Sequence, residues 1–343
     1  MNTTLAWLLV PLAILLGAAT AGAAVGVTEI SGKDGDGPVT VYYPSSSEAR
    51  KLERGPFTFQ MAWQGTPVRG NGRLIVISHG SGGSPWVHAD LARALVEDGF
   101  VAALPEHRGD NVKDQSAVGP RSWKRRPAEV SRAIDAVGAD ERFKLLLALD
   151  RVGMYGVSAG GHTALVLAGG RWSPARLAEH CEAHIAEDFQ ACVGLSARLR
   201  ANVFDGLKKT IARWVIRYRL SDATWQAHTD ARIAAIVAAV PFAADFDMAS
   251  LGSPRVPLGL ATARQDKLLI PRFHSDAVLA ACTPCEKVAD LPDGGHGAYL
   301  SPLPPNLSGL LGDLMNDPPG FHRARLREVD LQIVAFFKRH VGT

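Results

Sequence analysis

Beyond residue 16 the chain has no long hydrophobic run, so no later segment reaches the roughly 20 apolar residues a spanning helix needs. It also lacks an excess of one charge. Its 37 Lys and Arg stand against 34 Asp and Glu, and +3 over 343 residues makes no concentrated basic stripe, so nucleic acid is not an expected partner. The 34 Gly and 21 Pro follow no fixed period, which excludes collagenous and coiled-coil designs. Neither G-x-x-x-x-G-K followed by Ser or Thr nor G-x-G-x-x-G occurs, which argues against a phosphate-cradling loop. What is present is apolar enough to fold: 47% hydrophobic against 21% charged residues predicts a packed core, not disorder.

Residues 5–16 (LAWLLVPLAILL) and the small-residue stretch after them have the form of a secretory signal. An Ala-x-Ala site at Ala21-Gly22-Ala23 predicts cleavage before Ala24, although no Lys or Arg precedes the apolar run. Residues 1–23 are thus expected to be a signal peptide. The mature chain, 24–343, would be periplasmic or secreted with no stable membrane insertion. Four cysteines fit an oxidising compartment, and their sequence proximity predicts two local disulfides, Cys181–Cys192 and Cys282–Cys285. A zinc site would need a second Cys pair at matching spacing, so no metal is expected.

Along the chain, Val25–Ile30 and Val39–Tyr43 around the turn Lys33–Gly37 predict a hairpin, and Phe57–Trp63 a third strand. The unbroken aliphatic run Leu74–Ile77 suits a strand buried on both faces of a parallel sheet. A helix over Val87–Glu97, a strand Phe100–Leu104, a helix Pro127–Val137 starting on its proline and a strand Val152–Tyr155 continue the alternation. It resumes at Ile233–Val240, Val256–Ala261 and Lys287–Ala289, with a last helix near Arg323–Arg339. Residues 171–232 break the rhythm and read as a cap inserted after the fifth or sixth strand. The fold class expected is α/β, with a mostly parallel central sheet flanked by helices.

Gly156-Val157-Ser158-Ala159-Gly160 is G-x-S-x-G between a predicted strand and a helix. There a sharp turn would hold the Ser158 hydroxyl clear of the sheet as a nucleophile. On such a scaffold the acid and the histidine follow in that order. Asp266 lies after the strand Val256–Ala261, with Asp245 and Asp247 as competitors, and His296 lies in the glycine-rich loop 293–297. Oxyanion donors are expected from the backbone amides of Ala159 and Ser81, with Gly80 and Gly82 as near alternatives. His79 would support that loop. His162 reads as a hydrogen-bonded core histidine, the pair His180/His184 as a solvated helix face, and Lys124-Arg125-Arg126 as a solvated loop.

Together, Ile77-Ser78-His79-Gly80-Ser81-Gly82-Gly83, Glu106-His107-Arg108-Gly109, the segment Arg126–Asp135 and Gly156–His162 resemble exported dienelactone-hydrolase-like proteins of the α/β-hydrolase superfamily. The resemblance covers roughly residues 38–170 and 233–300. It implies the α/β-hydrolase fold and a serine hydrolase acting on carboxylic esters without metal or organic cofactor. Ser158 would be the nucleophile, His296 the general base and Asp266 the orienting acid. Dienelactone hydrolases proper use a cysteine where this chain has Ser158, so ester hydrolysis is implied and the lactone substrate is not. The expected partner is a small-molecule ester; acyl group, alcohol and oligomeric state stay open. An acyltransferase on the same triad and a non-catalytic binding protein are the alternatives.

Overall fold

A computed structural model of the chain describes residues 24–342; the expected signal segment, residues 1–23, lies outside them. The strands are β1 (Ala24–Ile30), β2 (Val39–Ser45), β3 (Arg50–Arg54), β4 (Phe57–Trp63), β5 (Leu74–Ser78), β6 (Val101–Pro105), β7 (Val152–Val157), β8 (Ile233–Ala239), β9 (Leu258–Ala263) and β10 (Glu286–Leu291). They form one ten-stranded sheet in the order β10-β9-β8-β7-β5-β6-β2-β1-β4-β3. From β10 to β6 every neighbouring pair is parallel. The carboxyl ends of six strands therefore share one edge. The hairpin β1–β2 joins that block antiparallel through β2 and β6, with Ile30 opposite Val39.

The helices are α1 (Ala89–Glu97), α2 (Pro120–Ala139), α3 (Ala159–Leu167), α4 (Pro174–His184), α5 (Phe189–Val193), α6 (Asp205–Arg219), α7 (Ser275–Ala281), α8 (Gly309–Met315) and α9 (Leu326–His340). Along β5, Ile75 and Ile77 enter the core beneath α1 and α9, while Leu74 and Val76 enter the core beneath α2 and α3. That two-sided burial is why the run is aliphatic without alternation.

Three expectations need correction. The charged β3, Arg-Lys-Leu-Glu-Arg, buries only Leu52 and pairs with β4 at the end of the sheet, so no apolar pattern announces it. It also makes the strand before the cap the seventh, not the fifth or sixth. Helix α2 starts at Pro120, behind Gly119 at φ +93°, and Pro127 lies inside it. Pro120 takes the first helical position, where its missing N–H costs nothing, and Pro127 only leaves the carbonyl one turn earlier without its donor.

Residues 171–232 hold α4, α5 and α6. The chain enters and leaves this insert through one antiparallel bridge: Trp172 N donates to Gln226 O (3.1 Å) and Gln226 N to Trp172 O (2.8 Å). Its core, Leu177, Cys181, Ile185, Phe189 and Ile216, packs on Phe242 and Leu269 from loops that follow β8 and β9. Both expected disulfides are formed: Cys181–Cys192 ties α4 to α5, and Cys282–Cys285 closes the turn after α7. Among the described residues no helix is long and apolar enough to cross a membrane.

Candidate active site

Ser158 stands at the turn from β7 to α3 with φ 57° and ψ −116°, a conformation that costs a non-glycine residue on the order of 1–3 kcal/mol. Its neighbours make the turn possible. A Cβ on Gly156 would lie 2.0 Å from the Gly160 carbonyl oxygen, and one on Gly160 would lie 2.0 Å from the Ser78 carbonyl oxygen. The Ser158 backbone is pinned on both sides: its N–H donates to Ala239 O (3.1 Å), and its carbonyl accepts from His162 N (2.9 Å) and Phe242 N (3.2 Å). The side chain is half-buried, and its hydroxyl makes no hydrogen bond among the described residues. Ser158 is held but chemically free.

The loops after β9 and β10 bring Asp266 and His296 together. Asp266 Oδ2 accepts from His296 Nδ1 at 2.6 Å, and both residues are buried. The other carboxylate oxygen accepts the amides of Leu268 (2.8 Å) and Leu269 (2.9 Å), so the acid cannot swing. With Nδ1–H committed, the neutral imidazole presents Nε2 as its acceptor. No hydrogen bond joins His296 to Ser158, so the structure joins two of the three residues directly and sets the third at the same sheet edge. The competing acids are occupied elsewhere. Asp245 meets His162 at 3.1 Å in the core, and Asp247 caps the turn 248–251 and pairs with Arg171. His162 is thus a hydrogen-bonded core histidine.

The loop 79–83 lies against the serine: a Cβ on Gly80 would sit 3.4 Å from Ser158 Cβ. The amides of Ala159 and Ser81 have no acceptor among the described residues, whereas the Gly82 amide is spent on Asp110 Oδ1 (2.9 Å). Ser81 Oγ donates to the same oxygen (2.7 Å). Burial alone would raise the Asp110 carboxyl, but the Arg126 guanidinium and the Ser81 and Gly82 hydrogen bonds hold it below its ordinary value.

Arg126 is a correction. It lies in α2, wholly buried, not in a solvated loop. Its guanidinium donates to His79 O (2.5 Å), Gly80 O (3.3 Å), Asp110 O (3.2 Å) and Asp110 Oδ2 (2.9 Å). Only a planar fork with five donors can serve carbonyls and a carboxylate together.

Behind it lies a second set. Ser78 Oγ meets His107 Nε2 at 2.7 Å, and His107 Nδ1 meets Glu129 Oε2 at 2.5 Å. Burial pushes the Glu129 carboxyl up and the His107 imidazole well down. The His107 amide donates to His79 Nε2 (3.2 Å), which fixes the proton on His79 Nδ1, donated to Gly80 O (2.7 Å). His79 supports the loop, as expected.

His180 and His184 do not form a solvated face. Both are half-buried against Phe273, and His180 Nε2 donates to the buried Asp188 (2.8 Å), as does His274 Nε2 (3.0 Å). This latch ties the cap to the segment that follows Asp266. No protein-family model matches the chain, and no curated protein matches it either.

Proposed function

We propose that this chain is an exported, dienelactone-hydrolase-like serine hydrolase of the α/β-hydrolase superfamily that cleaves carboxylic esters through an acyl-serine intermediate. One observation carries the reading: the 2.6 Å Asp266–His296 pair stands at the same sheet edge as a strained, half-buried serine with no competing partner. The two disulfides support export.

In this reading substrate binding closes Ser158 Oγ onto His296 Nε2, a contact that commonly tightens only in the complex. Ser158 Oγ gives its proton to Nε2 and attacks the carbonyl carbon, while Asp266 holds the imidazolium that forms. The oxyanion is received by the Ala159 and Ser81 amides, which have nothing else to bind. Collapse breaks the bond to the alcohol oxygen, which leaves with the proton from Nε2. Water then gives a proton to Nε2 and attacks the acyl carbon. Collapse breaks the bond between the acyl carbon and Ser158 Oγ, Nε2 returns its proton to Oγ, and the acid leaves.

The test is hydrolysis of p-nitrophenyl esters of increasing chain length by the mature chain and by Ser158→Ala. The variant should fold and lose on the order of 10^6 in kcat. Full activity in Ser158→Ala would sink the reading.

A further inference from the structure

Helix α6 has two apolar faces. The inner one buries Ile216, flanked by Ala212 and Leu220, in the cap core. On the opposite side Phe204, Leu207, Ile211, Trp214 and Tyr218 follow the spacing of a single helical stripe. All five are exposed, Trp214 by 71% and Tyr218 by 79%. The Trp214 and Tyr218 rings stack, with centroids 6.3 Å apart. A contiguous stripe of large side chains in solvent marks a docking surface, unlike scattered single exposures.

The charge around it selects the partner. Residues 198–219 carry seven Lys and Arg and a single acid, Asp205, although the whole chain has an excess of only three. The cations are therefore not spread evenly: by helical spacing Lys208 and Arg217 flank the stripe, three residues from Ile211 and Trp214, while Lys209 lies seven residues before Ile216 on the inner side. Arg200 and Arg219 are exposed and have no carboxylate partner among the described residues, whereas Arg198, Lys208, Arg213 and Arg217 pair with Asp313, Asp205 and Glu182. A second copy packed about a two-fold axis would set these cations against their own mates. Bare nucleic acid would leave the aliphatic residues uncovered. An anionic bilayer satisfies both, taking the apolar side chains between its lipids and the cations on its headgroups.

We propose that α6 docks the protein, stripe downward, on an anionic phospholipid bilayer, and that the ester substrates are held in that surface. The docking stands by itself; the substrate class rests on the esterase reading. The geometry links them. Ile216, on the inner face of α6, shares one cluster with Phe242 and Leu269. The Phe242 amide bonds the Ser158 carbonyl, and the Leu269 amide bonds the Asp266 carboxylate. The helix lies one packing layer from the reacting groups.

The test is flotation of the mature chain carrying Ser158→Ala, which leaves the lipid intact, with phosphatidylglycerol–phosphatidylcholine vesicles and with pure phosphatidylcholine vesicles. Binding is expected on the anionic vesicles and should weaken with salt. The exposed-face double variant Ile211→Ser/Trp214→Ser should lower it at least about tenfold. Arg200→Glu/Arg219→Glu should do the same on anionic vesicles only. Both pairs, in the wild-type Ser158 background, should keep the melting temperature and the hydrolysis of a short soluble ester. Failure of the Ser158→Ala chain to float, or undiminished flotation of the double variant, would overturn the docking. So would a dimer in sedimentation that Trp214→Ser dissociates, since the face would then bind protein. Flotation by a chain that hydrolyses no ester would sink the substrate class alone.

Discussion

Two serine–histidine–carboxylate sets flank the loop after β5; each has a buried, hydrogen-bonded acid and histidine, and they differ at the serine. In one, Ser78, His107 and Glu129 are all buried and both hydrogen bonds are closed, at 2.7 and 2.5 Å. In the other, the acid and histidine are buried and bonded, but Ser158 is half-buried, unpaired and on a strained turn. The first has the bonding pattern of a catalytic triad and no route for a substrate; Ser78 lies within a strand covered on both faces. The second is incomplete at rest, which leaves Ser158 free for the proposed role of nucleophile. Free amides beside the serine complete the distinction, because a tetrahedral intermediate has to put its charge somewhere. Bonding pattern alone would not separate scaffold from machinery; access and unsatisfied donors do.

The sharpest way to break this comparison is to blunt the acid in each set. Asp266→Asn should cut kcat roughly 10^4-fold, because the imidazole loses the partner that fixes its tautomer, while the melting temperature stays nearly constant. Glu129→Gln should do the reverse, lowering stability by about 1–3 kcal/mol with kcat changed less than about tenfold. Equal losses of activity would merge the two sets into one machine.

The next effect concerns what joins them. Asp110→Asn leaves the buried Arg126 guanidinium without its carboxylate and should cost about 3–5 kcal/mol, read in a urea titration. The single amide oxygen of Asn cannot serve both Arg126 and the Ser81–Gly82 donors, so kcat should fall by roughly tenfold even at a permissive temperature.

The smallest effect is a pH dependence in the cap latch. Burial works to raise the Asp188 carboxyl, but hydrogen bonds from His180 and His274 prevail and bring it from 3.8 to about 2. A lowered carboxylate stabilises the folded chain fully above its unfolded value, near pH 4, and this contribution disappears as pH falls toward 2. The difference in stability between the parent and Asp188→Asn should therefore shrink by on the order of 2 kcal/mol across that window. A constant difference would show that the latch does not titrate.

Much of the frame was legible because its signals are local. Gly156–Gly160 reads as a turn because two glycines bracket one serine, and Leu74–Ile77 reads as an inner strand because nothing polar interrupts it. Asp266 and His296 were placed by strand order. The cysteines were paired by proximity, eleven and three residues apart. What escaped is the support of the loop 79–83. Arg126 reaches His79 across 47 residues and Asp110 across 16, and Glu129 reaches His107 across 22. Nothing in Lys124-Arg125-Arg126 distinguishes the one cation that turns inward. The α2 pattern held a faint signal, since Ser122, Arg126, Glu129 and Val130 lie on one side of the helix, where a buried face would put them. Asp188 was missed for the same reason: its partner His274 lies 86 residues away.

The bridge between Trp172 and Gln226 has a practical meaning beyond anchoring. Because the insert leaves and rejoins the sheet domain through one hydrogen-bonded pair and carries its own disulfide, it is built as a cassette. Segments of other lengths and sequences could be grafted between those two positions without re-spacing a single strand. Variation in such a family would then be expected to concentrate between residues 172 and 226, leaving the sheet that holds Ser158, Asp266 and His296 unchanged.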